Sequence, residues 1–299
     1  MNNWRVNVRR AACALGAAVL LGVTVSCDEP EQESGRNGVE RLNVGYKEDQ
    51  PGTSFRDEST NVFDGFEVQL GLHLEEKIKK RLFPVDLKTK DRVQVVKDGD
   101  VDLLLATLSV NEDRIQEVDF AGIYMTSRQG LLVSDEAYAN GIKDPTVFAG
   151  KKICTLEGST SYTTLMEYRP DVLSLAEIEP ASKIKDCVKL LEEGRVQGIS
   201  TDQVILYGLA DHHADQNFYV VPEIDFGPTQ YYGVAVKKMK DREWCRYLKE
   251  IVDKYVRSST WEQNFKIQLG LAEEEVGFRK FRPSRHDSNA MSCRDEVGP

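Results

Sequence analysis

Three side chains set close together could do chemistry in this sequence: Thr107, Ser109 and Arg114. They follow the run Val101, Leu103, Leu104, Leu105 and Ala106, whose unbroken apolar character marks a buried strand of a parallel sheet. In open α/β sheets, ligands sit just beyond the carboxyl ends of strands. Two hydroxyls and a guanidinium at that place would form a socket for a small carboxylate, because arginine presents paired N–H donors matched to carboxylate geometry. The competing reading is local: Arg114 caps a helix or pairs with Glu112 or Glu117 on the surface.

Other residues fall at similar places. Lys47 lies just past the alternating segment Leu42 to Tyr46, and Thr89 and Arg92 flank the start of a helix. Each could reach the sheet edge that carries Thr107, and a lone lysine there could equally be solvated. Further along, Gly158-Ser159-Thr160-Ser161 offers backbone N–H groups, hydroxyls and a helix dipole, which suit a carboxylate; it also reads as an ordinary N-cap box. Thr201-Asp202 follows another strand, where the aspartate could accept an ammonium or simply cap the next helix. Asp64-Gly65-Phe66-Glu67-Val68 reads as a glycine turn and apolar anchor with a structural role.

The elements that must hold these residues are legible in the pattern. Leu42 to Tyr46 alternates as a strand, and Phe66 to Leu82 is predicted helical, with Phe66, Leu70, Leu74 and Ile78 on one stripe. Phe83 to Leu87 is a further strand, and Arg92 to Lys97 a short helix stopped at Gly99. With the Val101 strand, this β-α-β-α-β order implies a parallel sheet. A second unit begins near Leu132 and Ala149-Gly150. It comprises a strand at Lys152 to Leu156, a helix opened by Gly158, a helix over Ile184 to Glu193, a strand at Gln197 to Ser200, a helix over Gln203 to Leu209 and a strand at Phe218 to Val221. A return strand, Tyr231 to Val236, and a helix over Arg242 to Arg257 follow. Trp261, Phe265 and Ile267 are expected in the core or at a domain contact, and the chain from Phe278 onward as a basic, irregular tail that is pinned only if Cys293 pairs.

The N-terminus reads as a leader. Arg5, Arg9 and Arg10 precede an apolar stretch, Ala11 to Val25, that is too short for a membrane span of about 20 residues. Thr24-Val25-Ser26-Cys27 resembles a bacterial lipobox, in which Cys27 becomes a lipidated N-terminus; plain secretion is the alternative. The acidic, Pro- and Gly-containing stretch that follows reads as a tether. The formal charge of −10 includes the leader's three arginines, so the remainder carries −10 − 3, or −13. Such an acidic chain argues against a nucleic-acid partner, while a local cationic pocket can still take an anion. Of six cysteines, Cys13 would leave with the leader and Cys27 would be acylated. The even remainder in an exported chain suggests two disulfides, taken as Cys154 with Cys187 and Cys245 with Cys293. A metal site is not expected: there is no Cys-x-x-Cys, and His212-His213 is an isolated pair.

The ordered series Asp49-Gln50-Pro51-Gly52, Asp64-Gly65-Phe66-Glu67-Val68, Val101-Asp102-Leu103, Glu112-Asp113-Arg114, Val118-Asp119-Phe120, Gly158-Ser159-Thr160-Ser161, Thr201-Asp202 and Thr260-Trp261 resembles the polar amino-acid-binding proteins of bacterial ABC transporters, extracellular solute-binding family 3. The resemblance runs from about Leu42 to Leu269, and within the family it points to the glutamate-binding lipoproteins of actinobacteria, which tend to have cysteines at the positions of Cys154 and Cys187.

That resemblance implies an α/β fold of the type II periplasmic-binding class, with two lobes, two hinge crossovers near Tyr124–Gln129 and Thr229–Tyr232, and a ligand cleft between the lobes. The implied division is a signal peptide over 1–26, a lipidated cysteine and tether over 27–40, lobe 1 over 41–126 plus 230–275, lobe 2 over 127–229 and a tail over 276–299. Arg114 and Ser109, with backbone N–H groups around Ser159 and Thr160, then clamp the ligand's α-carboxylate, and Asp202 accepts its ammonium. Lys47, Thr89 and Arg92 grip a side-chain carboxylate, with Thr107 as a further ligand-binding hydroxyl; Leu156 is apolar where the family often has a polar or basic residue. The function so implied is capture of glutamate or aspartate by a lipid-anchored, monomeric receptor on the extracellular face, which delivers it to ABC permease subunits without any cofactor. An amino-acid sensor feeding a membrane kinase is the second reading. No enzyme is expected, since nothing resembles a poised nucleophile with its base, although a few dehydratases share the fold.

Overall fold

The computed structural model describes residues 40–139, 148–172, 176–296 and 298. The leader and the lipidation site expected at Cys27 lie outside the described residues.

The chain builds two five-stranded sheets in succession and then returns to the first. It begins with β1 (Arg41–Tyr46), a small meander of β2 (Asp49–Gln50), β3 (Ser54–Arg56) and β4 (Phe63–Asp64), then α1 (Phe66–Ile78) and β5 (Arg81–Asp86). A 3-10 turn over Thr89–Asp91, α2 (Arg92–Asp98), β6 (Leu103–Leu104), α3 (Glu112–Glu117) and the long β7 (Val118–Gln129) complete this part. The second sheet contains β8 (Leu132–Ser134), α4 (Asp135–Ala139), β9 (Lys152–Leu156), α5 (Thr160–Val172), β10 (Glu177–Ala181), α6 (Ile184–Glu192), β11 (Gly198–Ile199), α7 (Gln203–His212) and β12 (Phe218–Val220). The chain returns through β13 (Phe226–Lys237), followed by α8 (Glu243–Val256), α9 (Ser259–Gln268), α10 (Gly270–Glu275) and α11 (Arg285–Met291).

The first sheet has the order β5-β1-β6-β13-β7 and the second β10-β9-β11-β8-β12. The expected parallel register holds for β5, β1 and β6. The sheet as a whole is mixed, because β13 runs antiparallel to both β6 and β7. β7 and β13 pair along most of their length, and their far ends are where the chain passes between the sheets, from Gln129 toward β8 and from β12 back to Phe226.

The stripe Phe66, Leu70, Leu74 and Ile78 is buried as its spacing requires. The helix nevertheless ends at Ile78, short of the expected Leu82. Lys79 takes a left-handed conformation (φ 57°), and the Glu75 carboxylate accepts the N–H of Leu82, which turns the chain directly into β5. Trp261 and Phe265 are fully buried and stacked, whereas Ile267, placed by expectation at the core or a contact, is 75 % exposed on the outer face of α9.

The C-terminal segment is not an irregular tail. Phe281 is buried against Phe265 and Tyr207, its carbonyl accepts the N–H of Thr126 on β7, and Lys280 pairs with Asp225 just before β13. A capping box from Ser284 starts α11, which packs on β7, and Cys293 is bonded to Cys245. The sequence composition there is polar, but a few apolar anchors and a crosslink suffice to dock it. The other disulfide joins Cys154 of β9 to Cys187 of α6.

Candidate functional site

The carboxyl ends of β6, β9 and β11 converge on one small polar cavity between the sheets. It is lined by Gln50, Thr89, Arg92 and Thr107 from the first sheet's side and by Leu156, Ser159, Thr160, Ser161, Thr201, Asp202 and Ile205 from the second's. Of the residues singled out in the sequence, Thr89, Arg92, Thr107, Ser159, Thr160 and Asp202 therefore meet here. Gln50, Ser161 and Thr201 are additional polar residues at the same place; Gln50 lies within the quoted Asp-Gln-Pro-Gly turn but carried no signal of its own.

Arg92 is buried at the start of α2. Its Nε donates to the Thr89 carbonyl at 2.9 Å, and Nη1 donates to the carbonyls of Ala106 and Thr107 at 2.7 and 3.0 Å. Those bonds fix the guanidinium against the cavity wall. Burial pushes its pKa down, opposed by the fields of Tyr232, Glu67, Tyr124 and Asp202. Beside it, the Thr89 hydroxyl is buried with no hydrogen-bond partner among the described residues.

Thr107 is a β-branched residue at φ 47°, a conformation such residues rarely take. Its hydroxyl donates to Gln50 Oε1 at 2.9 Å, and its N–H donates to Glu67 Oε1 at 2.6 Å. The turn it makes carries Ser109 toward the cleft, where Ser109 Oγ and Thr160 Oγ1 lie 3.1 Å apart across it.

Arg114 is not on the cavity wall itself. Its backbone N–H is capped by Asn111, and its guanidinium reaches back to the Ser109 carbonyl at 2.8 Å instead of pairing with Glu112 or Glu117. Burial, together with the charge of Arg92, lowers its pKa to about 9, and Asp202 pulls the other way. Two neighbouring guanidiniums, Arg92 buried and Arg114 part-buried, make a place where an anion is stabilised.

Asp202 precedes α7 but makes no capping bond, so the local reading does not account for it. Oδ2 accepts the Tyr232 hydroxyl from the crossing strand β13, and Oδ1 is buried without a hydrogen-bond partner among the described residues. Burial raises its pKa to about 6. A buried carboxylate oxygen left unpaired is costly unless a donor meets it. At the start of α5, the Ser159 hydroxyl is occupied as a cap, accepting the Tyr162 N–H and donating to the Leu156 carbonyl. The Ser159 N–H is also taken, by the same carbonyl at 3.3 Å. That leaves Thr160 and Ser161 at the helix start, where amides lack intrahelical partners.

Lys47 departs from the expected position. Its ammonium is buried 3.0 Å from Asp49 and 3.3 Å from the Leu87 carbonyl, and it does not line the cavity. The counter-charge lies two residues away in the chain, in β2, and it satisfies the lysine before a ligand can. Asp49 in turn accepts the N–H of Ile184 at the start of α6, and Glu48 pairs with Lys183, so this corner joins the two halves.

Two roomier depressions do not share these properties. One, over Val44, Val62, Phe63, Leu72 and Pro84, is largely apolar. The other, near Glu48, Phe55, Lys185 and His212, has its charges already matched, Glu48 with Arg56 and Lys183, and Lys185 with Glu58.

The family model of the bacterial extracellular solute-binding proteins, family 3, matches residues 42–267. The chain is 28% identical over 277 residues to a glutamate-binding protein of Corynebacterium glutamicum, covering 87% of this chain and 90% of that protein. It is likewise 28% identical over 241 residues to an ABC transporter glutamine-binding protein of Bacillus subtilis, covering 76% of this chain and 84% of that protein. Among solved structures, the solute receptor for L-cysteine of Neisseria gonorrhoeae superposes with a TM-score of 0.71 at 20% identity, over 83% of this chain and 97% of that one. An ancestral arginine-binding protein bound to glutamine gives 0.67 at 21% identity, over 77% and 98%. These structures share the two-sheet α/β architecture, the type II periplasmic-binding fold expected from the sequence.

Proposed function

The chain belongs to family 3 of the bacterial extracellular solute-binding proteins, and from that premise we propose that it is the substrate-binding component of an ABC importer, capturing an acidic amino acid, glutamate or aspartate. At the coarser level it is an amino-acid-binding protein of the ABC transporter family, not an enzyme. The observation that carries the acidic reading is the pairing of opposite charges across one cavity: an unpartnered Asp202 oxygen on one wall, and buried Arg92 with the free Thr89 hydroxyl on the other. Asp202 then receives the ligand's ammonium, and Arg114, Ser109 and the start of α5 hold its α-carboxylate. Arg92 and Thr89 meet the side-chain carboxylate. Relatives named for glutamate and for glutamine match equally well, so the cavity's charge has to decide.

In this reading the two sheets are the cores of two lobes that open about β7 and β13. The contacts Ser109–Thr160, Glu48–Lys183 and Asp49–Ile184 cross the cleft and must part for the ligand to enter, which is hinge motion. Anchoring through Cys27 would keep the receptor near its permease. A thermal-shift panel of the twenty amino acids tests the specificity: a ligand present at 100 times its Kd stabilises by about 2.7 kcal/mol, and L-glutamate or L-aspartate is expected to raise the melting temperature most. A larger rise with L-glutamine overturns the acidic assignment.

The pH dependence follows from Asp202. Its pKa in the fold, about 6, is raised, so its contribution to the stability of the unliganded fold is present below the unfolded value and lost as pH rises through about 6. Binding an ammonium needs the ionised form, so affinity runs the other way. L-Glutamate is expected to bind about tenfold more weakly at pH 5 than at pH 7, and Asp202→Asn to bind weakly at both. Calorimetry at the two pH values checks this; a flat profile in the parent protein removes Asp202 from the ammonium site.

A further inference from the structure

We propose that Glu67 is a positioning residue for the ligand's side-chain pocket: it touches no ligand, and by accepting the N–H of Thr107 it holds that residue in the left-handed conformation on which the placement of Arg92 depends. The proposal rests on the reading of the cavity as an amino-acid site and extends it to a residue outside the wall.

Glu67 lies in the first turn of α1, buried at 1 % exposure, beneath the cavity rather than in its lining. One oxygen does all the work. Oε1 accepts the Thr107 N–H at 2.6 Å and also the hydroxyl of Tyr124 from β7, while Oε2 has no hydrogen-bond partner among the described residues. Thr107 is thereby gripped at each of its polar groups: the N–H by Glu67, the hydroxyl by Gln50 and the carbonyl by Arg92. A β-branched residue at φ 47° persists only when its surroundings over-determine it, and Glu67 supplies the bond on the N–H side. Because Arg92 Nη1 is bonded to the carbonyls of Ala106 and Thr107, release of Thr107 releases one of the anchors that aim the guanidinium. Tyr124 extends the same network to a strand that crosses between the halves. The remote acceptor is thus linked both to the pocket and to the axis about which the cleft opens.

The role assigned is that of an acceptor at a fixed position, which Glu67→Gln retains and Glu67→Asp withdraws by one methylene. With L-glutamate as the probe, Glu67→Asp is expected to raise Kd roughly tenfold, the scale of a buried donor left unpaired, while Glu67→Gln stays within about threefold of the parent. The decisive arm uses Thr107→Gly, since glycine takes positive φ without being held. In that background Glu67→Asp should change Kd by less than about twofold. An equal Kd penalty in both backgrounds, or none in either, overturns the proposal. Melting temperatures measured alongside separate loss of fold from loss of placement: a purely structural role moves the melting temperature in both backgrounds without this coupling in Kd. If the parent protein binds L-glutamine in place of L-glutamate, the acidic specificity fails, and the same cycle is read with L-glutamine.

Discussion

Replacing Arg114 by alanine is expected to weaken L-glutamate binding by about 2–5 kcal/mol, the scale for stranding one partner of a hydrogen-bonded charge pair. The guanidinium is held by the Ser109 carbonyl, close enough to Arg92 and Asp202 to feel both charges. Burial and the charge of Arg92 lower its pKa to about 9, and no carboxylate pairs with it among the described residues. An α-carboxylate supplies that partner, and without Arg114 that carboxylate is desolvated with a single guanidinium nearby. At about 1.4 kcal/mol per factor of ten, the loss is at least about thirtyfold in Kd. Calorimetry on the variant, with circular dichroism to confirm the fold, reads it directly. An unchanged Kd places the α-carboxylate elsewhere.

Lys47→Met should produce a different kind of damage. The buried ammonium is matched to Asp49 at 3.0 Å, and removing one member of a buried pair costs about 3–5 kcal/mol of stability because the other charge is left uncompensated. Urea unfolding is expected to show that loss, while the preference for L-glutamate over L-glutamine survives in the folded fraction. Arg92→Met is the contrasting variant, expected to erase that preference. Equal loss of the preference in both variants would return Lys47 to the ligand.

Thr107 and Arg114 are legible in the sequence because they follow an apolar run, and Asp202 because it follows a segment that reads as a strand; strand ends are where α/β sheets place ligands. Lys47 met the same criterion and ended elsewhere, because its partner sits in a two-residue strand of a small meander that has no apolar periodicity. In the sequence Glu67 reads as part of a helix start. Its spacing is that of any residue in a first turn, and only the fold brings Thr107 and Tyr124 to it from positions about 40 and 57 residues away. Tyr232 reads as an ordinary strand residue, yet its hydroxyl donates to Asp202; nothing in a strand's sequence announces which side chain crosses to a neighbouring loop. The helix end at Lys79 depends on a short-range side-chain bond, Glu75 to Leu82, that the apolar spacing does not encode. The C-terminal segment is pinned by the Cys245–Cys293 pair that the cysteine count suggests, while its packing through Phe281 rests on contacts its polar composition does not announce.

The corner built from Glu48, Asp49, Lys183 and the start of α6 has a consequence for how such a receptor evolves. Bonds that join the halves without involving cargo lower the free energy of the shut arrangement by the same amount whatever is bound, and so reduce the share of the work that cargo must perform. In the proposed reading, uptake threshold and cargo identity are then set by different residues, although Glu48 and Asp49 directly precede the cavity residue Gln50. If the halves open as proposed above, drift at Glu48 or Lys183 would retune the ligand concentration at which the cleft fills, while the residues proposed to recognise the ligand stay as they are.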